Sequence, residues 1–535
     1  MNQLYTINLV NIKVVDAVAA DKIFPPHFRT VQNRQPIPDG AFKKRDGLAS
    51  ADVITSSKKW ECQLITPFFL KGSPVADTIA AFSDETTPNL CHLFKYVGTT
   101  WSQITSTSTT PESSIVDDGF YYVTNALSLV GTVLTPVLVL VKSETTNAAW
   151  NSNTEKNCCY FIYRNPANGV FTVKSVGNDA STVEPTIQTL NWQSATCAEY
   201  HLNKLWVGGI RESSNPELIA AADNLLVNRH NRIRWCKTGS IDANYSGTGV
   251  GNEGSWGGSG TGYLDVPVTG EHLVVGMRSF RGQLYILTTS DLFVLTGTTS
   301  AQFGLTRILS TPSAIGLTMW ASDDYLFWAD ANGIHQFNGS SSKNITEDTV
   351  PVAYKQKQIE QYNQIGTGVA TGYGKVPTAF INEKLKIYGI HWPDLSSANY
   401  SGSPNLAGKE TWLYNYKSQT FSTYVYNLES NYNDVNYISD YHDTGFIWMG
   451  LSNTAVDNPV AAKYIFEVIT DSGIATGGSS TTLVDSSKAW AVDEWINGTL
   501  KITDATDSVV YYVIITDSDA TSLTFVTPGF TIAAS

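Results

Sequence analysis

Charge is scarce in this chain. Only 16% of its 535 residues are Asp, Glu, Lys or Arg, against about a quarter in ordinary globular chains. Basic charge is scarcer still, leaving a net −13 at pH 7. A protein that grips nucleic acid neutralises phosphates with Lys and Arg, and this chain as a whole repels them. Methionine is rare, at 4 residues. The six cysteines, Cys62, Cys91, Cys158, Cys159, Cys197 and Cys236, form no C-x-x-C pair. That spacing excludes the usual structural zinc sites. It suits reduced, buried thiols made in a reducing compartment. Long hydrophobic runs are missing too. The longest uncharged apolar run, Ala126 to Val141, is broken by Gly131 and Pro136. It is too short to cross a bilayer as a helix and reads as two strands. The N-terminus has neither the charged region nor the apolar run of a signal peptide, so no membrane insertion is expected.

What the chain does have is strand. Apolar residues make up 42% and aromatics 11%, enough to bury a core. Thr, Ser, Val and Tyr fill short runs that alternate, or stay apolar where both faces are covered. Glu271 to Gly339 shows this most clearly. Gln283–Leu287 and Leu292–Thr296 flank a turn at Thr288–Asp291, and Tyr325–Ala329 and Ile334–Phe337 flank a turn at Asp330–Gly333. Leu284-Tyr285 is echoed 42 residues later by Leu326-Phe327, about the length of a four-stranded propeller blade. Similar strand pairs recur from Trp60 to Val468. The expectation is an all-β fold: a β-propeller of about six or seven blades over residues 61–470, without Trp-Asp or kelch signatures.

Two flanking regions differ from the repeat. Residues 1–60 contain Phe24-Pro25-Pro26 and Pro36-Ile37-Pro38-Asp39-Gly40, and read as an extended N-terminal arm with leading strands. Residues 1–50 carry seven Lys/Arg against four Asp, a net +3. Arg29, Arg34, Lys43, Lys44 and Arg45 are candidate docking residues for an acidic neighbour; an exposed leading strand is the plainer reading of the same residues. Residues 471–535 read as a small C-terminal β module of about four strands, with eight Asp/Glu against two Lys, a net −6. Within the repeat, Ser214–Val227 and Val350–Ile365 read as short helices, and Thr105–Ser114 as a polar loop. Ser246–Gly262 holds eight glycines in seventeen residues, a composition that is either mobile or orders on contact with a partner. Trp256 lies inside it, and a large aromatic there wants a partner surface. It is a candidate inter-subunit contact, with sugar stacking as the other reading.

Catalytic patterns are missing as well. No two of the eight histidines stand at i, i+4, and there is no G-x-S-x-G elbow or phosphate-binding G-x-x-x-x-G-K-[ST]. Asp323-Asp324 and Asp493-Glu494 are adjacent in sequence, but neighbours on a strand point to opposite faces. Neither forms the facing pair a glycosidase needs; a pair assembled from distant blades stays open. Trp192, Trp206, Trp235, Trp320, Trp328, Trp412 and Trp448 fall in strand patterns, where packing between blades explains them. The expectation is a protein that is not an enzyme, with no cofactor and no metal.

Several segments together resemble the β-propeller tail proteins of short-tailed bacteriophages, the packaged-DNA stabilisation or tail-hub proteins and more distantly the tail nozzle proteins. They begin with Phe42-Lys43-Lys44-Arg45-Asp46-Gly47-Leu48, with Asp46 where the family has Pro. Asn231-Arg232-Ile233-Arg234-Trp235-Cys236-Lys237-Thr238-Gly239 is similar to an N-R-[IV]-x-[WF]-S-x-x-G segment. Val274-Val275-Gly276 through Gly297, Ile315-Gly316, and Asn332-Gly333-Ile334 to Gly339 follow. Gln356–Ile365, Lys384–Tyr388 and Trp412-Leu413-Tyr414-Asn415-Tyr416 complete the order. The resemblance covers about residues 25–470.

It implies a structural virion protein, assembled in the bacterial cytoplasm as a homo-oligomeric ring of about six copies in the tail. Its partners would be its own copies, the adaptor and portal proteins, other tail proteins, and double-stranded DNA in passage without sequence-specific binding. The ring would retain packaged DNA and let it leave on ejection. The low basic charge suits such a conduit. The alternative is a propeller that binds or cleaves glycans, as a receptor-binding tail component.

Overall fold

The computed structural model describes residues 34–36, 42–44, 52–53, 60–68, 77–84, 90–97, 100–104, 114–116, 121–130, 132–141, 159–175, 192–213, 226–239, 241, 256, 260–268, 272–347, 349–366, 377–383, 385–392, 410–425, 432–440, 446–453, 460–465, 475–479, 481–490, 499–503 and 510–525. The chain divides into two compact units, Met1–Glu467 and Val468–Ser535.

The first unit is a β-propeller of seven antiparallel blades. It begins with a hairpin, β1 (Arg34–Pro36) and β2 (Phe42–Lys44), and a short strand β3 (Asp52–Val53). Blade 1 is β4 (Trp60–Phe68), β5 (Asp77–Asp84), β6 (Leu90–Val97) and β7 (Thr100–Gln103), with β8 (Ser114–Val116) also on β6. Blade 2 is β9 (Tyr122–Val130), β10 (Val133–Val141), β11 (Cys159–Arg164) and β12 (Phe171–Ser175). In blade 3 the first strand comes in two pieces, β13 (Trp192–Ser194) and β14 (Cys197–His201), both paired with β15 (Lys204–Ser213). Then follow β16 (Leu226–Trp235) and β17 (Gly262–Asp265). Blade 4 is β18 (Val274–Phe280), β19 (Gln283–Thr288), β20 (Asp291–Thr296) and β21 (Gly304–Ser310). Blade 5 is β22 (Ile315–Ala321), β23 (Leu326–Asp330), β24 (Gly333–Phe337) and β25 (Ser342–Asn344).

The helix α1 (Pro351–Gly366) leads from blade 5 to blade 6. Proline at its first position needs no N–H there and is preset for the helix. Blade 6 is β26 (Thr378–Asn382), β27 (Ile387–Trp392), β28 (Glu410–Asn415) and β29 (Thr420–Val425). Blade 7 takes β30 (Tyr432–Asp440), β31 (Phe446–Asn453) and β32 (Val460–Ile465) from the end of the unit and β3 from its beginning. Asp52 pairs with Ala461 and Val53 with Val460, so the two ends of the circle are hydrogen-bonded within one blade.

The first strands form the inner ring. β14 lies between β9 and β18, and β22, β26, β30 and β4 continue the series. Each blade therefore has neighbours on both faces, which is why many middle strands are apolar without alternation. β27 is buried at every residue, and β10 is buried throughout Val137–Val141. The wedges between blades are filled by aromatic and aliphatic layers. Leu138, Leu140, Tyr160 and Ile162 pack on Leu64, Ile65 and Phe82 between blades 1 and 2. Phe327, Ala329 and Ile334 pack on Tyr388, Tyr414 and Tyr416 between blades 5 and 6. Blades 4 and 5 approach closely at one point: a Cβ added at Gly316 would overlap the carbonyl of Val275. Gly316→Ala must push β22 from β18, and overpacking of this kind costs about 1–3 kcal/mol. The expected result is a lower urea midpoint than wild type; an unchanged midpoint would mean the two strands are not in contact there.

Most of the expected strands stand within one or two residues of their places, and the Val350–Ile365 helix is α1. Ser214–Val227 does not end as a helix, because Leu226 and Val227 begin β16; the rest of it lies outside the described residues. So does the loop Thr105–Ser114, except that Ser114 opens β8. The second unit, by itself, is a five-stranded antiparallel sheet in the order β33 (Gly477–Gly478), β34 (Thr482–Val484), β37 (Ser522–Phe525), β36 (Val510–Ser518) and β35 (Thr499–Thr503). Among the described residues, no helix is long and apolar enough to cross a membrane.

Candidate functional site

The inner ring encloses a cavity of about 640 Å³. Thr66 and Pro67 of β4, Val123 to Asn125 of β9, Glu199 of β14, Arg278 to Phe280 of β18, Trp320 and Ala321 of β22, and Ile381 of β26 line it. Arg281, Ser322, Asp323 and Glu383 complete it from the turns that follow β18, β22 and β26. The cavity therefore opens on the face where each blade turns from its first strand to its second.

Arg278 is its hub. The guanidinium donates from Nη1 to Glu199 Oε2 at 3.1 Å and from Nε to the Met319 carbonyl at 3.2 Å. Nη1 also reaches the Val123 carbonyl at 3.3 Å. The same group lies 4.4 Å from the Tyr122 ring centre and 4.6 Å from that of Trp320. One side chain thus ties blades 2, 3, 4 and 5 together. Glu199 is held in turn: Oε1 accepts the Ser279 N–H at 3.1 Å and Oε2 the Thr124 hydroxyl at 3.4 Å. Burial pushes the Glu199 carboxyl above its ordinary range, and Arg278 opposes that shift. Tyr122 donates its hydroxyl proton to the Met277 carbonyl at 2.7 Å and accepts the Met277 N–H at 3.1 Å.

The mouth is charged and mutually satisfied. Lys386 pairs with Glu383, whose other oxygen accepts the Tyr416 hydroxyl at 2.7 Å. Lys386 also stands 3.9 Å from Asp324. The hydrogen bond that Lys386 donates to Glu383 holds its ammonium above its usual pKa. Arg281 donates to the Asn338 carbonyl at 2.7 Å and the Asp324 carbonyl at 3.2 Å. Of the adjacent Asp323-Asp324, only Asp323 lines the cavity; Asp493-Glu494 lies outside the described residues.

A second charged cluster sits on blade 3. Glu212, 1% exposed, is in contact with Arg232, and stands 3.7 Å from Arg229 and 3.8 Å from Arg234. Arg232 forms a two-pronged pair with Asp265 at 2.7 and 2.9 Å, and lies 3.8 Å over the Tyr263 ring. The N-R-I-R-W segment is thus part of an ion cluster across β15, β16 and β17. Hydrogen bonds from Arg232 lower the Asp265 pKa.

A Ser–His–Asp series also exists, on blade 5. Asp330 Oδ1 is 3.0 Å from His335 Nε2, and Ser342 Oγ is 3.5 Å from His335 Nδ1. His335 stacks on Trp328 with ring centres 5.2 Å apart. The Trp328 indole N–H and the Asn332 N–H also donate to Asp330. The Ser–His contact is at the outer limit of a hydrogen bond, on the outermost strand and apart from the cavity. The series ties three strands and the β23–β24 turn together. Among the described residues no three His, Cys, Asp or Glu side chains converge as metal ligands.

The other candidates fall as follows. Trp256 requires a correction: it is 2% exposed, its indole N–H donates to the Ile241 carbonyl at 3.0 Å, and it packs edge-on to Trp192 at 5.0 Å. Its partner surface is this chain's own core, so it presents nothing to another subunit or to a sugar. Trp206 and Trp235 pack together at 4.8 Å, as expected of strand tryptophans; the Trp448 side chain lies outside the described residues. Arg34 and Lys44 are paired positions on β1 and β2, and Lys43 lies opposite Gln35. Arg29 and Arg45 lie outside the described residues. Cys159 is buried, and Cys197 and Cys236 are buried free thiols. Burial pushes Cys197 and Cys236 up to about 12, which leaves roughly a thousandfold less thiolate than an ordinary cysteine at pH 8. Iodoacetamide should therefore leave both unmodified in the native protein and alkylate them after denaturation. Rapid native labelling, read by peptide mass spectrometry, would contradict their burial.

No protein-family profile matches the sequence, and no curated protein matches it. Solved structures with a similar course include the Pan2 WD40 domain of Neurospora crassa, at 7% identity and a TM-score of 0.38, over 79% of this chain and 99% of that one. A puromycin-hydrolyzing peptidase of Mycobacterium tuberculosis is matched at 8% identity and the same TM-score of 0.38, over 85% of this chain. This chain spans 58% of that peptidase.

Proposed function

We propose that the chain is a structural protein of a short-tailed bacteriophage tail, assembled in the bacterial cytoplasm as a ring of about six copies. The ring retains packaged DNA and lets it pass on ejection, next to the adaptor and portal. The observation that supports this reading is where the segments of resemblance lie. The segment 231–239 includes the end of β16, and 274–297 spans β18 to β20. Ile315-Gly316 opens β22, 332–339 contains β24, and 356–365 lies in α1. Lys384–Tyr388 leads into β27, and 412–416 covers most of β28. All but the α1 segment belong to blades, and they follow the order of the resemblance. The role is mechanical rather than enzymatic.

The passage cannot be the propeller's own centre. A DNA duplex is roughly 20 Å across, whereas the centre holds a 640 Å³ cavity crossed by Arg278. DNA passes between copies, along a wall that the net −13 keeps from gripping phosphate. The test is composition of the virion: the chain should be found in purified tails, in about six copies per particle if one closed ring assembles, and particles lacking it should lose packaged DNA. Absence from purified virions would overturn the reading.

A further inference from the structure

We propose that the central cavity binds a neutral saccharide, a function beyond the structural role and independent of ring assembly. The space is of the right order, within the ~300–1,000 Å³ of small-molecule pockets, and it is open at the face bearing Asp323, which is exposed. Its lining mixes polar and apolar surface, and its inner charges are compensated: Arg278 by Glu199, and Glu383 by Lys386 and the Tyr416 hydroxyl. Arg281 is turned to backbone carbonyls.

An anionic ligand entering here must be stripped of water and finds no uncompensated cation of matching size. A polyhydroxylated, uncharged ligand meets a better match. Each sugar hydroxyl both donates and accepts, and the wall offers the exposed Asp323 carboxylate as an acceptor beside the remaining N–H groups of the exposed Arg281 guanidinium. Trp320 adds an aromatic ring with the Arg278 guanidinium 4.6 Å from its centre, which fixes its orientation. Aromatic faces receive the C–H faces of sugars while the polar rim receives their hydroxyls. The same groups come from blades 4 and 5 on one closed ring, so the site is preformed.

The experiment is isothermal titration of the full chain with short neutral oligosaccharides of glucose, galactose, mannose and N-acetylglucosamine. Polygalacturonate serves as the charged comparison. At least one neutral sugar should bind. Asp323→Ala, at an exposed position, should weaken it about tenfold or more, which is about 1.4 kcal/mol, with the unfolding midpoint unchanged. Trp320→Leu should weaken binding by a similar factor. If no neutral sugar binds, if only polygalacturonate binds, or if Asp323→Ala binds as tightly as wild type, the assignment is wrong.

Discussion

Arg278→Met should cost about 3–5 kcal/mol of stability, read as a fall in the urea midpoint at unchanged slope. The side chain is 10% exposed and holds Glu199 at 3.1 Å, together with carbonyls on β9 and β22. Methionine keeps much of the volume but leaves a carboxylate buried with no cation. The pH dependence identifies the cause. Burial already raises the Glu199 pKa and Arg278 lowers it, so the variant's carboxyl titrates higher than the wild-type one. A carboxyl with a raised folded pKa binds protons more readily when folded. Stability then falls as pH rises through the interval between the unfolded and folded values, and the loss is absent below the unfolded value. The deficit of Arg278→Met should therefore shrink as pH is lowered toward the ordinary Glu range, about 4.3. Adding Glu199→Gln should recover much of the loss at neutral pH. A deficit that stays constant with pH would locate the effect in packing rather than in the stranded charge.

Glu212→Ala should also destabilise by about 3 kcal/mol, for the opposite stranding. Glu212 is buried at 1% exposure beneath Arg232 and Arg234, whose side chains are 10% and 5% exposed. Removing it leaves Arg232 with Asp265 alone and takes the carboxylate from Arg234. Arg229 contributes little, since it is 43% exposed and solvent screens the pair. Glu212→Gln keeps an acceptor and loses the charge, so its loss should be smaller. High salt should change neither result much, because buried pairs are weakly screened. A midpoint within about 0.5 kcal/mol of wild type, the range of ordinary surface changes, would contradict the buried cluster.

The repeat was legible because its signal is local. Leu284-Tyr285 and Leu326-Phe327 echo one another because they occupy β19 and β23, the second strands of successive blades. Closure was not legible: Asp52 meets Ala461 across the whole repeat, and two residues carry no pattern that names a partner so distant. The cavity was hidden for the same reason, since Thr124, Glu199, Arg278 and Trp320 come from four blades. One clue stood in the sequence. Arg278 sits between Met277 and Phe280 in a strand-like run, where a charge must find an internal partner or a surface. Trp256 misled because glycine-rich surroundings describe the flexibility of a segment and not what it packs against. Arg232 and Arg234 were visible as a motif, but Glu212, their common partner, lies on the neighbouring strand β15.

Ring assembly is tested most directly by electron microscopy of the purified full chain, with its mass measured in solution under the same conditions. The chain is 58.4 kDa. The account predicts closed rings of several propellers around a passage wider than a DNA duplex, roughly 20 Å, with a mass that is a whole multiple of one chain. Single propellers at the mass of one chain, at every concentration, would contradict it.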